Sequence, residues 1–167
     1  MNNSEMTQEL VLMDSKRVNR TIHRIAFEII ENVSSTSEII FAGLNNRGFT
    51  VASKVRDVIC NNSKIKPKLV QIFEDDDTEL NVSVSNSVVI VFDDVIFSGR
   101  TMLRAINKIF IKGEPSILMI CALVDRGHRK FPLTCQFTGI HYPTKLREHV
   151  RVEVSENKDS IQVILET

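Results

Sequence analysis

A chain of 167 residues, 43% of them hydrophobic and 25% charged, carries enough apolar sequence for one globular domain with a single core and too little for a second. Lysine plus arginine equals aspartate plus glutamate at 21 each, so any attraction to a polyanion has to come from local clustering of charge. No apolar run approaches the roughly 20 residues that span a bilayer, which argues against a membrane protein.

In chain order, Met1–Lys16 reads as a polar leader without the apolar stretch of a signal peptide, so the expected compartment is the cytoplasm and the expected core is 17–167. Val18, Ile22, Ile25, Ala26, Ile29, Ile30 and Val33 recur at three- and four-residue spacing. That predicts an amphipathic helix of about four turns, ended by the polar cluster Ser34–Ser37. Glu38–Leu44 is an apolar run that a helix could not fill and is read as a strand. Asn45-Asn46-Arg47-Gly48 then reads as a turn, and Val51, Val55, Val58 and Ile59 restore helical spacing.

Lys68–Phe73 and Ser87–Phe92, rich in Val and Ile, predict two strands, the second fully buried. The acidic Glu74–Leu80 and the weakly alternating Asn81–Asn86 separate them. Thr101–Ile111 is helical in spacing and stops at Lys112-Gly113, with Pro115 beyond. Ile117–Val124 predicts another buried strand, and short strands are expected around Gln136–Ile140, Val150–Val154 and Ile161–Leu165. Cys60, Cys121 and Cys135 are odd in number and form no C-x-x-C pair, so all are read as reduced thiols, Cys121 as a small buried hydrophobe.

Strands alternating with helices imply parallel pairing through right-handed crossovers. The expected fold is α/β, one open, mainly parallel sheet with helices on both faces, and its ligands belong at the carboxyl ends of the strands. Chemistry is therefore sought just past Leu44, Phe92 and Val124. After Phe92 come two adjacent acids, Asp93 and Asp94, and then Ser98-Gly99-Arg100-Thr101 opening a helix. Backbone N–H groups of that turn and the helix N-terminus would converge on a phosphate, helped by the Ser98 and Thr101 hydroxyls, with Gly99 allowing close approach. The carboxylates would accept hydrogen bonds from vicinal ribose hydroxyls. Taken piecewise, the same residues are ordinary turn and N-cap residues; the whole run favours a ribose 5-phosphate.

The run V-V-I-V-F-D-D-V-I-F-S-G-R-T at Val88–Thr101 resembles the motif by which type I phosphoribosyltransferases bind 5-phosphoribosyl 1-diphosphate (PRPP). Leu123–Pro132, L-V-D-R-G-H-R-K-F-P, extended by Tyr142-Pro143-Thr144, is similar to the matching stretch of the PyrR subfamily, pyrimidine operon attenuation regulators. The similarity runs from about Arg17 to the C-terminus. This resemblance implies PRPP or UMP held by Val95, Ile96, Phe97, Ser98, Gly99, Arg100 and Thr101, with Asp93 and Asp94 on the ribose and on Mg²⁺ carried by PRPP. Asn45, Asn46 and Gly48 would cradle the diphosphate and Arg47 would add charge there. A uracil phosphoribosyltransferase would place its base near Val124, Asp125, Arg126 and Gly127 and would form dimers or higher oligomers.

Two segments depart from the subfamily. Glu74–Glu79 replaces a longer basic loop, and carboxylates beside a diphosphate leaving group would repel it. That keeps open a nucleotide- or PRPP-sensing regulator that binds RNA with little turnover; a purine transferase is a further alternative. For RNA, the candidate cations are Arg20, Arg24, Arg129, Lys130, Lys145 and Arg147, while His23 and Phe27 stand where the subfamily has Thr and His. His128, alone in a basic loop, reads as a surface or interface residue.

Overall fold

The computed structural model describes residues 8–33, 38–74, 80–145, 147–157 and 159–167. Part of the expected leader belongs to the domain, because Glu9–Met13 forms strand β1 and Met13 is fully buried. Five residues with an exposed start give too short an alternation to stand out in the sequence. Helix α1, Ser15–Asn32, begins at an Asp14 cap whose carboxylate accepts the Arg17 N–H at 2.7 Å. Its buried stripe is Val18, Thr21, Ile22, Ile25, Ala26 and Ile29. The expected stop at Ser34–Ser37 lies outside the described residues.

Strand β2, Ile39–Leu44, is buried throughout, and helix α2, Asn45–Asn62, follows with no intervening loop. The expected turn at Asn45–Gly48 is the first turn of that helix. Asn45, at φ 52°, makes the change of direction alone, a conformation Asn tolerates better than most residues. Strands β3, Lys68–Ile72, and β4, Val88–Ile96, come next, and Asn81–Asn86 forms no strand. Helix α3 spans Arg100–Ile111, strand β5 Ile117–Asp125 and strand β6 Phe137–His141. Strands β7, His149–Val154, and β8, Ile161–Glu166, end the chain.

Five strands form a parallel sheet in the order β3-β2-β4-β5-β6. One face packs Phe41, Ile90, Phe92 and Leu123 under α1 and α2. The other sets Ile40, Val89, Val91 and Ala122 against Met102, Ala105 and Ile109 of α3. Helices thus cover both faces, as the alternation of elements implies. Strands β1, β8 and β7 leave this sheet and make a separate antiparallel one. Val152, Ile161 and Val163 tie it to the α1–α2 core.

The chain leaves β2 toward β3 on one side and β4 toward β5 on the other, so the direction of winding reverses between β2 and β4. A crevice opens at the carboxyl ends of strands at such a switch point. Met13→Ala should cost about 2–5 kcal/mol, as for other buried aliphatic side chains cut to alanine. Urea denaturation measures this; a change under about 0.5 kcal/mol would return β1 to the status of a leader.

Candidate functional site

Two helices start at the switch point without side-chain caps. The N-cap residue of α2 is Leu44 and that of α3 is Gly99, in the left-handed region at φ 82°. The Ser98 hydroxyl accepts only a long 3.4 Å bond from the Arg100 N–H. By contrast α1 is closed by Asp14. The first N–H groups of α2 and α3 therefore carry positive helix-end charge that no N-cap side chain meets. Gly48 brings the α2 end close, since a Cβ there would lie 2.5 Å from the Phe92 carbonyl oxygen and 3.2 Å from Asp93 Cα. A cavity of about 250 Å³ sits at the α3 end, lined by Asp93, Val95, Ile96, Phe97, Ser98, Gly99, Arg100, Thr101 and Met102.

Strand β4 does not stop at Phe92. It pairs on through Asp93 opposite Ala122, Val95 opposite Val124 and Ile96 opposite Asp125. The two acids are thus strand residues, held more rigidly than a loop would hold them. Asp93 is 8% exposed and its Oδ1 accepts the Asp94 N–H at 2.9 Å. Burial, and after it the negative charge of Asp94, push the Asp93 carboxyl well above the usual carboxylate range.

At the α2 end, Gln71 Nε2 donates to the Asn45 carbonyl at 3.1 Å and to Asn46 Oδ1 at 3.0 Å, and Asn45 Oδ1 accepts the Glu74 N–H at 3.1 Å. These side chains brace the helix start against the end of β3. Arg47 is exposed and lines a different groove of about 360 Å³, shared with Val152, Glu153, Val154, Ser155, Ser160 and Gln162. Glu74 pairs with Arg104 at 2.7 Å, and Asp75–Glu79 lie outside the described residues.

The expected nucleobase residues are mostly committed to the protein itself. Val124 is in the core. Asp125 Oδ1 accepts the Gly127 N–H at 2.8 Å and meets Arg129 Nη2 at 2.8 Å, while His141 Nδ1 lies 3.6 Å from Oδ2. Arg126 is turned inward: its Nε donates to Thr144 Oγ1 at 2.9 Å and its Nη2 to the Glu148 carbonyl at 2.6 Å. Its guanidinium stacks 4.4 Å from the Phe97 ring centroid, and burial lowers its pKa. His128 presents Nε2 to the Thr144 carbonyl at 3.1 Å. Thr144, Glu148 and His141 were not legible as partners, because strand register and loop folding bring them in across 16 to 22 residues.

The RNA candidates divide as well. Arg20, Lys130, Lys145 and Arg147 are exposed. Arg24 pairs with Glu28 and donates to the Thr138 and Gly139 carbonyls, at 2.6, 2.9 and 2.7 Å, while Arg129 is turned into the protein. All three cysteines are free thiols, Cys121 fully buried. Among the described residues no helix is long and apolar enough to cross a membrane.

An open parallel sheet with an acid pair and two helix ends at its switch point defines an α/β fold with a ligand crevice at the carboxyl ends of its strands. The phosphoribosyl transferase domain family matches residues 12–149, and the chain belongs to it. Within that family it is similar to bifunctional protein PyrR of Clostridium kluyveri, with 32% identity covering 90% of this chain and 93% of the relative. It is also similar to bifunctional protein PyrR of Clostridium acetobutylicum, with 33% identity covering 95% and 98%. Among solved structures, a hypoxanthine-guanine phosphoribosyltransferase from Bacillus anthracis superposes with a TM-score of 0.74, 19% identity and coverage of 93% and 96%. The hypoxanthine phosphoribosyltransferase of Trypanosoma cruzi in complex with IMP gives a TM-score of 0.73, 13% identity and coverage of 97% and 92%. At such identities these two show the shared fold.

The buried acid sets up a trade between binding and stability. With its pKa raised in the folded state, Asp93 costs no stability below the free carboxylate range, and the cost grows as pH rises above it. Asp93→Asn should therefore melt higher than the parent chain at pH 7.5, each kcal/mol recovered showing as about 2–4 °C in a domain of this size, with the gap closing toward pH 3.5. Thermal unfolding without ligand measures it; a lower melting temperature at pH 7.5 would contradict the burial cost.

Proposed function

We propose that this chain is a cytoplasmic, Mg²⁺-assisted transferase that moves phosphoribose from PRPP to a pyrimidine base, uracil first among them, giving UMP and diphosphate. The observation that carries the reading is the uncapped N-terminus of α3 facing a cavity that Asp93 also lines. The α3 turn holds the 5-phosphate, Asp93 and Asp94 accept from the ribose hydroxyls, and the α2 amides at Asn45, Asn46 and Gly48 receive the diphosphate. Arg47, exposed in the neighbouring groove, is close in sequence to this end and adds positive charge to it. Among the described residues no three His, Cys, Asp or Glu side chains form a metal cage. The hard carboxylate oxygens of Asp93 and Asp94 would share in holding a Mg²⁺ ion that arrives with substrate phosphates. Bound there, Mg²⁺ would neutralise charge on the leaving diphosphate.

The transfer breaks the bond from ribose C1 to diphosphate oxygen and forms one from C1 to a ring nitrogen of the base, whose proton is released. The protein would position both partners, with the buried Asp93 and the half-buried Asp94 near the positive charge that develops on the sugar. Support for a pyrimidine comes from the PyrR resemblance and from relatives at 32% and 33% identity. Because Asp125 and Arg126 are spent on internal bonds, a base near β5 would meet main-chain groups and the ring of Phe97, which is 40% exposed. The same resemblance supports dimers or larger oligomers.

A second reading, a UMP- or PRPP-sensing regulator that binds RNA with little turnover, draws on the Glu74–Arg104 pair. That pair sets the Glu74 carboxylate beside α3, where negative charge disfavours a diphosphate. Arg20, Lys130, Lys145 and Arg147 would then meet RNA phosphates, each contact steepening the salt dependence of binding. Diphosphate release from Mg²⁺–PRPP, assayed separately with uracil, hypoxanthine and guanine, separates the readings. Release with uracil alone is the expected result; none with any base leaves the regulator, and release with the purines alone overturns the pyrimidine assignment. Asp93→Asn with Asp94→Asn should weaken UMP binding at least about tenfold, two hydrogen bonds to charged acceptors having been lost.

A further inference from the structure

Arg129 touches both candidate ligand loops. Its side chain is 17% exposed, with Nη2 2.8 Å from Asp125 Oδ1 and Nη1 donating to the Phe97 carbonyl at 2.6 Å. Longer contacts reach the Ile96 carbonyl at 3.5 Å and the Gly127 carbonyl at 3.3 Å. Its Cδ lies 3.6 Å from where a Cβ would stand on Gly99. Backbone bonds run alongside: the Arg126 N–H donates to the Ile96 carbonyl at 2.9 Å and the Lys130 N–H to the Ser98 carbonyl at 3.0 Å.

These contacts hold three successive carbonyls, those of Ile96, Phe97 and Ser98, from the side of the β5–β6 loop. In a trans peptide the carbonyl of one residue and the N–H of the next point in opposite directions. Fixing the three carbonyls therefore aims the N–H groups of Phe97, Ser98 and Gly99 the other way, and all three residues line the cavity. Arg129 is the one side chain in this set of contacts, and through Asp125 it joins the phosphate turn to the loop expected to meet the base.

We propose that Arg129 is the positioning residue of the phosphate turn, orienting its backbone donors without touching the phosphate. The proposal rests on the reading that Ser98–Thr101 binds the 5-phosphate.

Arg129→Lys tests it in the full-length chain. Lysine keeps the charge and can pair with Asp125, but it lacks the planar fork that reaches Asp125 and the Phe97 carbonyl together. Calorimetry with UMP and with uridine is expected to show UMP binding weakened about tenfold and uridine within about twofold of the parent chain. Should the lysine variant not fold, Arg129→Gln, which keeps a planar donor, is read in the same way. Unchanged UMP affinity, or equal losses for both ligands, overturns the positioning role. A parent chain that binds UMP no better than uridine overturns the phosphate reading, and this proposal with it; a parent chain that discriminates beside an unaffected variant overturns the proposal alone.

Discussion

Uncompensated charge at the start of two helices organises this molecule. Right-handed crossovers send α2 and α3 to opposite faces of the parallel sheet, yet each helix must begin at a strand's carboxyl end. Because winding reverses between β2 and β4, both positive ends arrive at the same crevice. Leu44 and Gly99 offer no side-chain oxygen to close them. Strand β4 carries a buried carboxylate into that crevice, where its own charge is poorly tolerated. Positive helix ends and acidic side chains are thereby set apart, and the proposed ligand, with phosphate at one end and hydroxyls nearby, would satisfy both. The chain belongs to the phosphoribosyl transferase domain family.

The parts of this legible in the sequence were those with a local cause. A short apolar run such as Val88–Phe92, set between helical patterns, suits a strand covered on both faces, and Val18 to Ile29 shows the helical period directly. The turn that opens α3 was legible because Ser-Gly-Arg-Thr stands between an apolar run and a helical period. What escaped depended on distant partners. Glu9–Met13 becomes a strand only because β8 lies beside it, and the tail strands alternate alike whether they join the main sheet or leave it. The run of β4 through Asp93 and Asp94 follows from pairing with β5, which overrides the low strand preference of aspartate.

Charged residues proved hardest to read. A basic loop in sequence gives no sign of which cations face inward. Here Arg126 stacks on Phe97 and Arg129 grips Asp125, while Lys130 and Arg147 remain at the surface. The β5–β6 loop is consequently as much a brace for the phosphate turn as a surface for ligands. The same holds at α2, where Asn45 and Asn46 spend their side chains on the end of β3.

A crystal structure with UMP bound tests the central claim most directly. The account predicts phosphate oxygens within about 3 Å of the backbone nitrogens at Ser98–Thr101, with the ribose hydroxyls on Asp93 and Asp94. UMP seated elsewhere, for instance with its phosphate against Arg47 in the groove along β7, would contradict it.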